Sequence, residues 1–301
     1  FNIVYTPDSP REIRELLDSG KVSCAVQIDR NFDKYLKRGI AAPVQIIADG
    51  TDSNTAMIIV NYAAGIASKF GQDMAGQSLR VVTRAPPPGI DMRTRTWYNP
   101  DLRSRNYNVP GVIASIVMLV GLILTSMSVV REREMGTIEQ LMVTPIRPLE
   151  LVVGKTVPFA VLGFFDMILV TTLGVLWFDV PIKGALLLLF GCTGIYLLSV
   201  LGAGLFISTI ARTQQQSMMA TMLFYMPALL LSGFVFPIQN MPKVFQYITY
   251  FNPLTYFLVI IRGIFLKGNG IDVLWPQMAA LLVLGLCILA LSTARFRKRL
   301  Q

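Results

Sequence analysis

The sequence predicts an α-helical membrane protein with several spans and a separate, smaller α/β domain at its N-terminal end. Charge is divided unevenly along the 301 residues: residues 1–108 hold 14 Lys/Arg and 11 Asp/Glu, whereas the longer remainder, 109–301, holds 13 and 7. That remainder contains five apolar stretches. Each is long enough for a helix that crosses a bilayer, which needs about 20 residues. A boundary between a soluble domain and a membrane domain is therefore predicted near residue 108.

Residues 1–84 alternate short β-branched runs with helical patterns, which is typical of a small α/β domain. No Gly-x-Gly-x-x-Gly pattern follows a predicted strand, so a dinucleotide site is not expected. Pro86–Gly89 predicts a stiff linker. Trp97, Tyr98 and Tyr107 precede the first apolar stretch and are predicted to be interfacial anchors. The predicted elements are strands at 2–5, 22–28, 44–48 and 79–83 and helices at 9–17, 32–38 and 55–70.

Orientation is predicted from Lys and Arg in the short loops, which accumulate on the cytoplasmic side. Predicted spans cover about 110–130, 156–178, 184–211, 213–236 and 273–294. One side then holds nine basic residues: Arg131, Arg133, Arg147, Lys155, Arg212, Arg295, Arg297, Lys298 and Arg299. The opposite side holds four: Lys183, Lys243, Arg262 and Lys267. The C-terminus is therefore predicted to be cytoplasmic and residues 1–108 extracytoplasmic. Because a domain there has to be delivered outward, we expect a further, first span before Phe1.

The segment 237–267 is the least regular part of the second half, since Pro237, Pro242 and Asn252-Pro253 interrupt it. A full crossing here would place the C-terminal basic cluster outside, so a re-entrant pair of short helices is predicted instead. Irregular backbone at membrane depth survives only inside protein or beside a cavity. The region is therefore predicted to cap a transport path, with gate candidates Ser232, Gly233, Asn252 and Pro253.

Two further features of the apolar stretches are candidates for a transport path. Asp166 lies near the middle of the second stretch, where an ionisable side chain is costly. It is a candidate proton or cation site or a contact to a polar substrate. We favour a helix–helix hydrogen bond, or an aspartate kept protonated by its surroundings, because no cation in another span pairs with it. Met222 and Met226 lie near one helical face that is suited to varied hydrophobic molecules, and core packing is the simpler interpretation.

Composition argues against several classes of chemistry. The chain has no histidine, which removes the commonest general base and a common zinc ligand, and its three cysteines form no metal or disulfide pattern. Gly154-Lys155-Thr156 resembles the end of a phosphate-binding loop, but Leu149 stands where that loop needs glycine. No enzyme activity, metal or cofactor is therefore expected. The net charge of +9 reflects basic loops beside spans rather than nucleic-acid binding.

A charged stretch, Arg131–Leu141, joins the first two apolar stretches, and five of its first nine residues are charged. Thr137 and Gln140 form a capping-box pattern that predicts a short helix from Ile138, with an apolar face, ended by Pro145. The pattern indicates a loop that docks another protein at the membrane surface. The alternative is a solvated loop whose arginines only set topology.

This charged stretch, with Thr144-Pro145 after it, resembles the first cytoplasmic loop of ABC-2 type exporter permeases of the multidrug kind. Asn99-Pro100-Asp101-Leu102, Phe251-Asn252-Pro253 and Arg295-Phe296-Arg297-Lys298 are similar to that family too. The resemblance covers nearly the whole chain.

The resemblance implies a type V, or ABC-2, exporter fold: six spans per subunit with an outer domain between the first two. It implies a second permease subunit, identical or paralogous, and a separate cytoplasmic ATPase that binds ATP and Mg²⁺. Coupling to that ATPase would involve Arg131, Glu132, Arg133, Glu134, Gly136, Thr137, Glu139 and Gln140.

The predicted function is ATP-driven export of hydrophobic or amphipathic, drug- or lipid-like compounds from the cytoplasm or inner leaflet of a bacterial inner membrane. Membrane lipid and a periplasmic adaptor are further expected partners. The alternatives are an ion- or proton-coupled transporter that uses Asp166 and a membrane signalling protein with an outer sensor domain.

Overall fold

In the computed structural model, which describes residues 2–38, 40–78, 90–136 and 148–300, the chain divides between Tyr107 and Asn108 into two units. The N-terminal unit is built on a three-stranded sheet in the order β1-β2-β3, with β2 antiparallel to β1 and parallel to β3. Its elements are α1 (Pro10–Asp18), β1 (Cys24–Ile28), α2 (Phe32–Lys37), β2 (Ala42–Asp49), α3 (Ser53–Ser78) and β3 (Ile90–Trp97).

Most elements of this unit follow their local sequence signals. The Ser9 hydroxyl accepts a hydrogen bond from the Glu12 N–H at 3.3 Å, and Pro10 occupies the first turn, so α1 begins where its cap predicts. α3 packs on β2 and β3, and Ala56 and Ala63 are buried on it. Residues 2–5 form no strand, contrary to prediction. The predicted strand at 79–83 and the linker at 86–89 lie outside the described residues.

β3 was not predicted from the sequence, and its presence corrects the role predicted for two aromatic residues. Trp97 is the last residue of β3, and the Arg14 guanidinium of α1 lies 5.9 Å from its ring centroid. The Tyr98 hydroxyl donates a hydrogen bond to the Asp18 carboxylate, also on α1. Burial, together with this bond, raises the pKa of Tyr98 well above its ordinary value. Both side chains therefore join α1 to the end of β3 and are not free interfacial anchors.

The described residues of the second unit form helices joined by short loops, with no strand among them. It contains the larger part of α4 (Ser104–Glu134), then α5 (Pro148–Leu176), α6 (Leu186–Ile210), α7 (Gln214–Leu230), α8 (Lys243–Thr249), α9 (Pro253–Arg262) and α10 (Ile271–Leu300). Within the residues that the structure describes, four stretches are long and apolar enough to cross a membrane: α4, Val153–Leu176 of α5, α6, and Ile271–Arg295 of α10. α8 and the helix from Pro253 to Lys267 form a pair bent by 78°, which would make a fifth span if counted as one.

α7 is shorter than predicted. The expected span at 213–236 is a 17-residue helix that ends at Leu230. Gly233 has a φ of +83°, a backbone conformation that favours glycine, and its turn leads the chain out of the helix before Pro237. Apolar composition continued past this turn, so hydropathy alone overestimated the length of the helix.

α6 is the helix on which the second unit packs, since it contacts α5, α7, α9 and α10. The buried rings of Tyr196 on α6 and Phe257 on α9 stack at a centroid distance of 4.1 Å. The Tyr196 hydroxyl donates to the Ala114 carbonyl of α4 at 3.2 Å. Buried hydroxyls such as this one are stable inside an apolar core only when they are paired.

Candidate functional site

The charged stretch begins inside a helix rather than in a loop. Arg131–Glu134 form the last turn of α4, the Met135 N–H still donates to the Arg131 carbonyl, and the chain leaves the helix at Gly136 with a φ of +75°. Glycine in this left-handed conformation is a common helix terminator. α4 therefore ends at Glu134, four residues beyond the end at residue 130 that was predicted for this span. Thr137, Glu139, Gln140 and the short helix predicted from Ile138 lie outside the described residues.

Arg133 binds the C-terminal end of α6. Its guanidinium donates to the carbonyl oxygens of Ala211, at 2.8 Å, and Ser208, at 3.4 Å. The last carbonyls of a helix lack intrahelical donors, and a cation next to them interacts favourably with the helix dipole. Arg133 therefore ties the end of α4 to the end of α6.

Glu134 binds the N-terminal end of α7. One carboxylate oxygen accepts the backbone N–H of Gln214 at 2.8 Å, and the other accepts the Gln214 side-chain amide at 2.6 Å. The first N–H groups of a helix are likewise unpaired within the helix, and a carboxylate is favourable there. Sequence reasoning missed Gln214. Its only local signal is Thr213, whose hydroxyl caps α7 by accepting the Gln216 N–H at 3.2 Å.

Glu132 forms an ion pair with Lys155 of α5, with side chains 30% and 14% exposed respectively. Lys155 thus serves as a partner of α4, and Gly154-Lys155-Thr156 lies within helix α5 rather than in a phosphate-binding loop. We call Glu132, Arg133 and Glu134 the α4 clamp, because they hold α5, α6 and α7 respectively. Arg131 and Met135, which flank the clamp, are exposed.

The four gate candidates lie at two breaks in the helices: Ser232 and Gly233 follow the end of α7, and Asn252 and Pro253 begin α9. Asn252 accepts the Leu254 N–H at 3.1 Å as the cap of α9, with Pro253 at the first helical position. Its amide also donates to the Ala228 carbonyl of α7 at 2.6 Å. Ser232 donates to the Leu229 carbonyl and accepts the Phe234 N–H, which shapes the turn at Gly233. The bend before α9 is therefore attached to the end of α7.

The methionine candidates, Met222 and Met226, lie on α7. Met226 is 54% exposed and Met222 is half-buried, whereas the buried side of α7 consists of Ser217, Thr221 and Tyr225. Core packing within the subunit therefore does not account for Met226.

Asp166 is separate from these groups. It is half-buried in α5, and its Oδ2 atom is buried without a hydrogen-bond partner. Among the described residues, no polar contact joins Asp166 to another candidate, and the helix–helix hydrogen bond that we favoured is not seen at this oxygen. No group of three His, Cys, Asp or Glu side chains that could hold a metal occurs in the described part of the chain.

Among the described residues, four or five helical segments long and apolar enough to cross a membrane indicate a multi-pass membrane protein. The chain belongs to the family described as ABC-2 family transporter protein, whose profile matches residues 1–294. The family predicted from the charged stretch is thereby confirmed.

Curated relatives agree with this assignment. The chain is 36% identical to the probable multidrug ABC transporter permease YbhR of Escherichia coli, over all of this chain and 80% of the relative. It is 36% identical to the probable multidrug ABC transporter permease YbhS of the same organism, over 98% and 78% of the two chains. The inner membrane transport permease YhhJ of E. coli is 29% identical over 94% and 75%. The family consists of transport subunits rather than enzymes.

Proposed function

We propose that this chain is the permease subunit of an ATP-driven exporter in a bacterial inner membrane. In this proposal it pairs with a second permease subunit, identical or paralogous. A separate cytoplasmic ATPase, which binds ATP and Mg²⁺, docks on the connection between α4 and α5. Membership in the ABC-2 family supports both partners.

The α4 clamp is the observation that carries the proposal. The connection to α5 starts directly after the clamp, so a force applied there by a docked protein reaches α5, α6 and α7 through Glu132, Arg133 and Glu134. The exposed Arg131 and Met135 are left to meet the partner. A solvated loop that only sets topology would have no need to tie three helices together.

The proposed substrates are hydrophobic or amphipathic, drug-like compounds. YbhR and YbhS are named as probable multidrug permeases. The exposed face of α7 carries Met218, Met219 and Met226, and flexible, polarizable methionines adapt to ligands of varied shape.

The proposal is tested by purifying the full-length protein from membranes as wild type, Glu134→Lys and Glu15→Lys. Glu15 is exposed on α1 in the N-terminal unit, so its variant makes the same charge change far from the clamp in sequence. We expect an ATPase with ethidium-stimulated turnover to co-purify with wild type and Glu15→Lys. With Glu134→Lys it should be lost or no longer stimulated, because the charge is reversed directly before the docking connection and a lysine would also face the donors of Gln214.

Absence of an ATPase from the wild-type preparation would contradict the proposal. It would favour the ion-coupled alternative, for which the unpaired Oδ2 of Asp166 is the supporting observation.

A further inference from the structure

We propose that Gln214 is a positioning residue that makes α7 follow the movement of the end of α4 during the transport cycle. This inference rests on the proposed function, because it assumes that an ATPase acts on the connection after α4. It assigns a role in coupling to a residue outside the charged stretch.

The contact between Glu134 and Gln214 is directional. Both carboxylate oxygens are used, one by the backbone N–H and one by the side-chain amide of the same residue, at 2.8 and 2.6 Å. Two parallel hydrogen bonds to a charged acceptor determine orientation as well as distance. The neighbouring glutamines do not share this role: Gln216 accepts the Arg212 N–H at 2.8 Å, and Gln215 is exposed.

The adjacent residue of α4 holds the other side of the same turn. Arg133 binds the carbonyls of Ser208 and Ala211, and Ala211 lies only three residues before Gln214. Two consecutive residues of α4 therefore hold the end of α6 and the start of α7. A shift of the end of α4 moves this turn unless charge-assisted hydrogen bonds on both sides break.

A second contact joins α4 and α7 about two turns further along both helices. The hydroxyls of Ser126 and Thr221 are hydrogen-bonded at 3.0 Å, and both residues are buried. Helices that are connected at two levels resist both sliding and splaying. α4 and α7 therefore move as one body, and Gln214 is the connection at the end where force is applied.

The far end of α7 makes this connection useful for transport. Ala228, near the end of α7, accepts the hydrogen bond from Asn252 at the bend before α9. A continuous series of contacts thus runs from the docking connection through α4, Gln214 and α7 to the proposed gate. Such a series of contacts is a physical route for coupling, and whether coupling follows it has to be measured directly.

An exchange of the two side chains tests the route. Gln214→Glu alone removes the side-chain donor and places two carboxylates in contact, and their repulsion also opposes the remaining bond from the backbone N–H. In the double variant Glu134→Gln/Gln214→Glu, the new amide oxygen accepts the backbone N–H and the new amide N–H donates to the new carboxylate, so both bonds can reform. Gln215→Glu is the matched control, because it adds the same charge one residue away on an exposed side chain.

Each form is purified as the full complex with its ATPase, and hydrogen exchange of the α7 amides is compared without nucleotide and after trapping with ATP and vanadate. We expect wild type and Gln215→Glu to show a nucleotide-dependent difference in α7. Gln214→Glu should lose this difference while keeping its ATPase, and the double variant should regain it. A purely structural role of Gln214 would raise exchange equally in both states.

The inference is overturned if α7 of the wild type shows no nucleotide dependence, or if Gln214→Glu keeps it. It is also overturned if the double variant remains defective. Failure of the proposed function is distinct, since in that case no ATPase accompanies the wild type.

Discussion

At the scale of single residues, four consecutive charged side chains at the end of α4 have different surroundings. Successive residues of an α-helix point about 100° apart, so a single turn reaches neighbours on all sides. Arg131 is exposed, Glu132 pairs with α5, Arg133 binds α6 and Glu134 binds α7. Opposite charges therefore match the opposite ends of two helices, the C-terminal end of α6 and the N-terminal end of α7.

We expect Arg133→Ala to lower the stability of the protein by about 2 kcal/mol, the typical contribution of hydrogen bonds to a charged group. Loss of the guanidinium leaves the Ala211 carbonyl without this donor. Arg133→Lys should be intermediate, since an ammonium keeps the charge but lacks the planar fork. The measurement is the midpoint of thermal unfolding of the purified protein in detergent.

Arg131→Ala is the control for this prediction, because it removes the same kind of side chain from the same helical turn at an exposed position. Equal midpoints for Arg131→Ala and Arg133→Ala would show that the contact with α6 contributes no stability.

At the scale of elements, the close approach of α6 to its neighbours depends on small residues. A Cβ atom on Gly204 would lie 2.9 Å from the Cβ of Thr125 and 3.2 Å from the Leu122 carbonyl oxygen, both on α4. Gly202 approaches the backbone of α10 at Leu289 in the same way. In a membrane, where lipid is as apolar as leucine, such close packing is a main source of helix association.

Gly204→Val is therefore expected to push α4 and α6 apart and to cost about 1–3 kcal/mol, the usual range for overpacking. The yield of monodisperse protein and its unfolding midpoint should both fall.

Gly191→Val is the matched control for Gly204→Val. It is the same substitution on the same helix, at a glycine with no atom within 4 Å of the added Cβ. Any cost of a β-branched residue in a helix is common to both variants, so an equal loss would refute steric contact with α4 as the cause.

At the scale of the whole molecule, the excess of basic residues predicts which side of the membrane each loop faces. With the three native cysteines replaced by serine, Lys21→Cys and Lys243→Cys should react with a membrane-impermeant maleimide in intact cells. Arg212→Cys should react only after permeabilisation. All three positions are exposed, so burial does not decide the outcome. Labelling of Arg212→Cys from outside would reverse the proposed orientation.

Properties of the chain that depend on local composition were predictable from the sequence. Continuous apolar stretches predicted α4, α5, α6 and α10, since a helix in a bilayer needs only length and hydropathy. The break at Asn252-Pro253 was also readable, because a cap followed by proline starts a new helix whatever surrounds it. The family was predicted from the charged stretch and three shorter motifs, and it was confirmed over residues 1–294.

Tertiary structure decided the features that depend on a partner distant in sequence. β3 is held by its pairing with β2, although the alternation of Ile90, Met92 and Thr94 with charged residues was a strand signal that the sequence carried. The end of α7 is held by Asn252, whose amide donates to the Ala228 carbonyl from 24 residues further along the chain. The roles of Glu132, Arg133, Glu134 and Gln214 required three helix ends to be placed beside α4. Sequence determined that charged residues lie at the end of α4. Packing determined what each of them binds, because a side chain on a given side of a helix has a partner only when a neighbouring helix is placed on that side.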